Sequence, residues 1–147
     1  MMTEETKLEG AKAIEKLQLN EEEITRFITT SVGRLAVIVR SRAPKDSGDL
    51  RRGIVASPWT ERTASPGKVV KEVYFTYTMN DVFVKYSRNG TRYYYPASQE
   101  FGFWTENRVG YHRHVDGKYF MRDTSISFAP AFEADGRKLL EGIIREP

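Results

Sequence analysis

Residues 42–54 read Arg42-Ala43-Pro44-Lys45-Asp46-Ser47-Gly48-Asp49-Leu50-Arg51-Arg52-Gly53-Ile54, and one hydrophobic period ends here while another begins. Pro44 stops whatever helix precedes it, because a proline pushes the residue before it out of the helical region. Asp46 and Ser47 can accept bonds from nearby backbone amides, and Gly48 can adopt a conformation closed to other residues. Leu50 and Ile54 then return the chain to the core, so 50–57 reads as a strand or a brief helical turn. We take Pro44, Asp46, Ser47, Gly48 and Leu50 as a fold-determining turn rather than a binding site.

Upstream of that turn, Ile24, Phe27, Ile28, Val32, Leu35 and Val39 recur at spacings of three and four. That is the apolar stripe of a helix of roughly five turns. Asn20 is placed to cap it with its side-chain oxygen, and Glu21, Glu22 and Glu23 suit the positive end of the helix dipole. Residues 3–18 form a shorter candidate helix with a weak stripe (Leu8, Ala11, Ile14, Leu17), marginal in water unless something packs on it. We therefore divide the chain into a 1–20 extension and a single domain over 21–147.

Downstream, the period changes to two. Residues 57–67 read as a long loop or arm, Val69 to Thr78 alternates as a strand does, and Val82 to Tyr86 reads as a second strand. Asn89-Gly90 marks a turn able to take positive φ. Pro96 ends any strand through Tyr93, Tyr94 and Tyr95. Residues 102–117 read as a hairpin or irregular excursion. Tyr119 to Ile144 reads as a closing helix or helix pair that Pro130 and Gly136 kink or divide. The order helix, antiparallel strands, helix gives class α+β: a long N-terminal amphipathic helix and a C-terminal helix packed on an antiparallel β-sheet, with long loops or arms.

Composition narrows the function. The 147 residues are 39% hydrophobic and 29% charged, as in a soluble folded chain of one-domain size. There is no cysteine, which removes disulfides, thiolate metal sites and thiol nucleophiles and suits a reducing cytoplasm. Residues 1–23 hold seven Glu against three Lys, or −4, so the total of +3 leaves +7 on the remaining 124 residues. The longest apolar run, Leu35 to Val39, is far too short to span a membrane.

Chemistry finds little footing. His112 and His114 share one side of a strand, but Asp116 is the one nearby carboxylate and a metal needs three or four ligands. A surface pair is the better reading, and we expect no cofactor or metal. No nucleophile elbow, phosphate loop or dinucleotide turn occurs. Arg40, Arg42, Lys45, Arg51 and Arg52 cluster at the helix end, and Tyr93–Tyr95, Phe101, Phe103 and Trp104 could stack on bases. Cations at a helix C-terminus and aromatics in a sheet core account for the same residues without a ligand. No catalytic residue is assigned, and a small basic nucleic-acid-binding module or toxin-like protein stands as the alternative reading.

Three stretches in order resemble one family, the tail-completion or tail-to-head joining proteins (minor tail, neck components) of long-tailed phages. The 42–54 turn is similar to that family's Ala-Pro-x-Asp-(Ser/Thr)-Gly-x-Leu segment. Tyr95-Pro96-Ala97-Ser98-Gln99-Glu100-Phe101-Gly102 is similar to its Tyr-x-x-x-x-Glu-(Phe/Tyr)-Gly segment. Tyr119-Phe120-Met121-Arg122 through Ala129-Pro130-Ala131-Phe132 is similar to the start of its closing helix, with Tyr119 where a proline is common. The resemblance covers residues 24–144.

It implies a structural virion protein of the neck or tail, not an enzyme, made in the host bacterial cytoplasm. Its partners would be itself, in a ring homo-oligomer of hexameric or related symmetry, and the adjoining head-completion and tail-tube or tail-terminator proteins. No membrane is involved, and genomic DNA passes as non-specific cargo. Candidate subunit-interface residues are Glu100, Phe101, Trp104, Trp59 and Arg122, with the 57–67 arm, the 102–117 excursion and the N-terminal helix supplying contact area; beside Gly102, Glu100 can equally hold a turn or pair with an arginine across a subunit boundary.

Overall fold

In the computed structural model two long helices run antiparallel, and the 42–54 turn lies at one end of the pair. Residues 3–45, 48–57, 61–62, 69–106 and 109–145 are described. Helix α1 spans Glu4–Leu19 and α2 Glu21–Arg42, with Asn20 alone between them. Asn20 does not cap α2 as expected. Its backbone (φ −107°, ψ 24°) is not extended, and its side-chain amide donates to the Lys16 carbonyl (2.8 Å), closing α1 instead. A one-residue break leaves no extended segment to carry a cap oxygen over the next first turn. The α1 stripe is not buried either: no residue of α1 is, and the helix rests against the far end of the chain, with Lys16 Nζ donating to the Ile144 carbonyl (2.8 Å).

Helix α2 buries Val32, Ala36 and Val39 with Ser31. The last helix, which we number α6 (Phe120–Arg145), packs along it. Phe27 stacks on Phe132 (5.5 Å between centroids), Arg34 Nη1 lies 3.9 Å from Asp135, and Arg42 Nη1 donates to Ser127 Oγ (3.0 Å). The expected division of α6 at Pro130 and Gly136 does not occur. Pro130 deprives the Ile126 carbonyl of its helical donor, but both residues are exposed, so water can replace the bond. Gly136 lies against the Phe27 ring, where a Cβ would stand 3.4 Å from it.

Past Pro44 the chain turns at Gly48 (φ 78°), makes one short helix, α3 (Asp49–Gly53), and enters β1 (Ile54–Ala56). The stretch read as strand or turn is both in succession. Leu50 and Ile54 are buried with Val39, Ala43, Phe83 and Phe120 in one cluster. Asp46 and Ser47 lie outside the described residues.

The strands do not form one sheet. Among the described residues they make four antiparallel pairs: β1 with β4 (Val73–Phe75), β2 (Glu61–Arg62) with β3 (Val69–Val70), β5 (Val84–Tyr86) with β6 (Arg92–Tyr94), and β7 (Gly102–Glu106) with β8 (His112–Asp116). The expected strand over 69–78 is split because its two halves pair with different partners. Ser57 marks the switch: its N–H donates to the Glu72 carbonyl (2.7 Å), and the Glu72 N–H donates to its hydroxyl (3.0 Å). Thr76 then starts a single 3-10 turn (Tyr77–Met79), followed by α4 (Asn80–Phe83). Val82 and Phe83, read as strand, are therefore helical. The turn drives Phe83 into the core, edge-on to Phe75 and Tyr94.

The turn over Arg88-Asn89-Gly90 forms as read, with Gly90 at φ 82°. After it comes a helix that periodicity did not reveal, α5 (Tyr95–Phe101), with Pro96 in its first turn and Gly102 closing it. Residues 102–117 do form a hairpin, β7–β8. Long helices packed against short hairpins make the class α+β.

Candidate functional site

The second and third motif stretches meet at the start of α6. Its first turn offers N–H groups without helical partners, and the chain enters it from Tyr119 at φ 47°, a left-handed conformation unusual for a side-chain-bearing residue. Glu100 of α5 supplies the missing acceptor. Its carboxylate oxygens accept from the Met121 N–H (2.9 Å) and the Arg122 N–H (3.1 Å), and the residue is only 5% exposed. A carboxylate at a helix N-terminus also opposes the positive end of the dipole. Glu100 is thus a cap delivered from a distant element, and both of its oxygens are engaged within the chain.

Gly102 and Gly117 allow this close approach. A Cβ on Gly102 would lie 2.5 Å from the Val115 carbonyl oxygen, and one on Gly117 would lie 2.3 Å from that of Glu100. The Lys118 and Tyr119 N–H groups donate to the Gln99 and Glu100 carbonyls (2.9 and 3.1 Å), completing the junction. The φ of Tyr119 is closed to proline, so this entry into α6 could not be made with a proline at that position.

Above this cap lies an aromatic ledge. Phe101, 65% exposed, meets Tyr119 edge-on at 6.4 Å, and the Arg122 guanidinium sits 3.8 Å over the Tyr119 ring. On the adjoining hairpin Trp104, 70% exposed, packs against His114 at 4.9 Å. His114 Nδ1 lies 3.2 Å from Asp116 Oδ1. The alternation of β8 puts His112 and His114 on one face of it, and among the described residues no three His, Asp or Glu side chains gather as a metal site would require.

Of the five candidate interface residues, Phe101, Trp104 and Arg122 are therefore solvent-facing around one junction. Glu100 lies beneath them, and Trp59 is outside the described residues. Sequence reasoning missed Tyr119 and Gly117. Two glycines fifteen residues apart, flanking a turn-rich segment, were the available signal for the second.

The basic cluster near the 42–54 turn is largely committed to the fold. Arg40 Nε donates to the Ile54 carbonyl (2.8 Å), Arg51 Nη2 to the Ser41 carbonyl (3.4 Å), and Arg52 pairs with Asp49. Tyr94 belongs to the core periphery, and burial pushes its phenol above the ordinary value. Among the described residues no helix is long and apolar enough to cross a membrane.

Replacing Glu100 by Gln tests the cap. One of the two accepting oxygens becomes a donor facing an N–H, at a cost of about 1–3 kcal/mol for a buried group left unsatisfied. We expect a lower unfolding midpoint and faster hydrogen exchange at the Met121 and Arg122 amides. Unchanged exchange at those two amides would show that the carboxylate does not hold the helix start.

Fold and site together define an α+β chain with an aromatic, solvent-facing ledge built over a carboxylate-capped helix. No family model, curated protein or solved structure matches the chain.

Proposed function

We propose that this chain is a structural protein of a phage neck or tail, one that closes into a ring, completes the tail or joins it to the head, and leaves a channel for DNA. The observation that carries the reading is the convergence of the three resembling stretches. Leu50 of the first and Phe120 of the third share the core cluster, and Glu100 of the second caps the helix on which Met121 and Arg122 of the third stand. Residues that are separate along the chain thus form one structural unit, as segments of a single family pattern would. The ring works by shape and neighbours rather than bond-making, and its subunits meet by heterologous contacts in which one face meets a different face of the next copy. The exposed Phe101, Trp104 and Arg122 are the contacts we assign to such neighbours, since aromatics and arginine dominate protein interfaces.

The experiment is imaging of particles made with and without the gene. Heads and tails that form separately and fail to join, or tails of abnormal length, are expected in its absence. Normal infectious particles would refute the role.

A further inference from the structure

The two ends of the molecule carry opposite charge. At one end lie α1, the start of α2 and the C-terminus of α6, tied together by the bond from Lys16 to the Ile144 carbonyl. Residues 1–23 there carry −4 and the last turns of α6 (Arg137, Lys138, Glu141 and Arg145) return +2, so the balance stays acidic at −2, and α1 leaves Leu8, Ile14 and Leu19 more than half exposed. At the other end stands the β5–β6 hairpin. It is rooted where Tyr94 packs against Phe83, beside the core cluster around Val39 and Ala43 at the C-terminal end of α2. The 22 residues of α2 hold the two ends roughly 33 Å apart at ~1.5 Å per residue.

The hairpin is basic and aromatic. From Val82 to Gln99 the chain holds Lys85, Arg88 and Arg92 and no carboxylate. All three cations are exposed, and Arg88 and Arg92 have no ion-pair partner among the described residues. Tyr86 is 68% exposed and Tyr93 is exposed on the opposite face, because Tyr86 pairs with Arg92 and Tyr93 with Lys85, so each face of the hairpin carries one tyrosine and one cation. Lys85 lies 5.2 Å from the centroid of the Tyr95 ring. Each end therefore presents apolar surface ringed by charge, with opposite signs at the two ends.

We propose that the β5–β6 hairpin of one copy docks on the acidic α1 and α2 start of the next, and that this head-to-tail contact propagates the oligomer. The occupant is a second copy because the complementary surface belongs to the chain itself. Two different faces meeting is also the heterologous geometry that closes a ring or extends a filament. The contact deepens the neck reading and rests on it for its role in the particle, but it can be measured without phage. Opposed charges at the ends orient approaching copies and disfavour head-to-head pairing, which would bring like charges together.

The test is self-association of the full chain by sedimentation velocity over a range of concentrations, at about 0.05 M and about 0.5 M salt, where the screening length shortens severalfold. Oligomers are expected at low salt, with the half-assembly concentration rising roughly tenfold or more at high salt. The variants K85E/R88E/R92E and E9K/E15K/E22K change exposed side chains, so each should fold as the parent does by circular dichroism and remain monomeric. Mixing the two should restore association, because each then carries the charge that the other's reversed end requires. A parent that stays monomeric throughout, reversals without effect, or a mixture that fails to associate would each overturn the contact. So would a monomeric parent whose hairpin binds a single-stranded oligonucleotide and loses it in K85E/R88E/R92E, which would assign the hairpin to a polyanion. The outcomes separate from the neck reading: salt-sensitive assembly with normal gene-deleted particles sinks that reading alone, and a joining defect with charge-insensitive assembly sinks this contact alone.

Discussion

Replacing Gly102 by Ala is expected to lower stability by about 2–6 kcal/mol, with the largest loss at the junction of α5, the β7–β8 hairpin and α6. Two costs coincide at this position. Gly102 adopts φ 89° and ψ 176°, a region open essentially to glycine, and forcing another residue into it costs about 1–3 kcal/mol. A Cβ would also stand 2.5 Å from the Val115 carbonyl oxygen and 2.7 Å from the Gly117 nitrogen. Those atoms are backbone in a paired hairpin, so relief requires moving a strand, and overpacking of that kind adds about 1–3 kcal/mol. Because the residue lies two positions from Glu100, a displaced strand also disturbs the cap on Met121 and Arg122. Urea denaturation followed by circular dichroism measures the loss, and in a chain of this size each kcal/mol also lowers the thermal midpoint by about 2–4 °C. A Gly102→Ala variant that unfolds at the parent's midpoint would show that the junction relaxes freely. If the proposed neck role holds, the same variant should also weaken assembly through Phe101 and Trp104, which stand on either side of the glycine.

The second large effect lies in the core. Phe83 is fully buried, edge-on to Phe75 at 5.8 Å and to Tyr94 at 6.0 Å, and its ring covers Gly53, where a Cβ would stand 2.3 Å from the ring edge. Truncating Phe83 to Ala removes those contacts and leaves a cavity, at a cost of about 3–5 kcal/mol. Gly53→Ala alone is destabilising by about 1–3 kcal/mol, because the ring cannot withdraw from a filled core. In the double variant that clash is gone, so the two losses should not add, and the cycle should show a coupling of about 1–3 kcal/mol in the favourable direction. Denaturant midpoints of the four chains measure it. Strict additivity would mean that Phe83 does not press on Gly53 in solution.

The contrast between these sites shows how much of the molecule its sequence discloses. Helix α2 was legible because its apolar residues repeat over five turns, and its end because proline acts on its immediate neighbour. Gly48 and Gly90 were legible for the same local reason: positive φ is a property of one residue and its adjacent turn. The seven-residue α5 was not, since two turns are too short for a period to emerge from Tyr95-Pro96-Ala97-Ser98-Gln99-Glu100-Phe101. Nor was the partition of the strands into four pairs, because Val69–Val70 and Val73–Phe75 look like one alternating run until each finds its own partner.

The candidate site divides in the same way. Glu100, Phe101, Trp104 and Arg122 were singled out by type and order, yet the difference between the first and the rest is invisible along the chain. The N–H groups that claim Glu100 lie 21 and 22 residues away. Pro130 reads as a helix breaker, and only its exposure on the outer side of α6 lets the helix run through it.

What the sequence determined by itself is whatever is settled between near neighbours: the α+β class, the long helix, its stop at Pro44, the two glycine turns and the charge imbalance between the first 23 residues and the rest. The tertiary structure alone decided which carboxylate is spent inside, which aromatics remain outside, and that the acidic segment and the root of the basic hairpin lie at opposite ends of α2. Those facts depend on burial and distance between residues far apart in the chain, and neither quantity exists until the chain has folded.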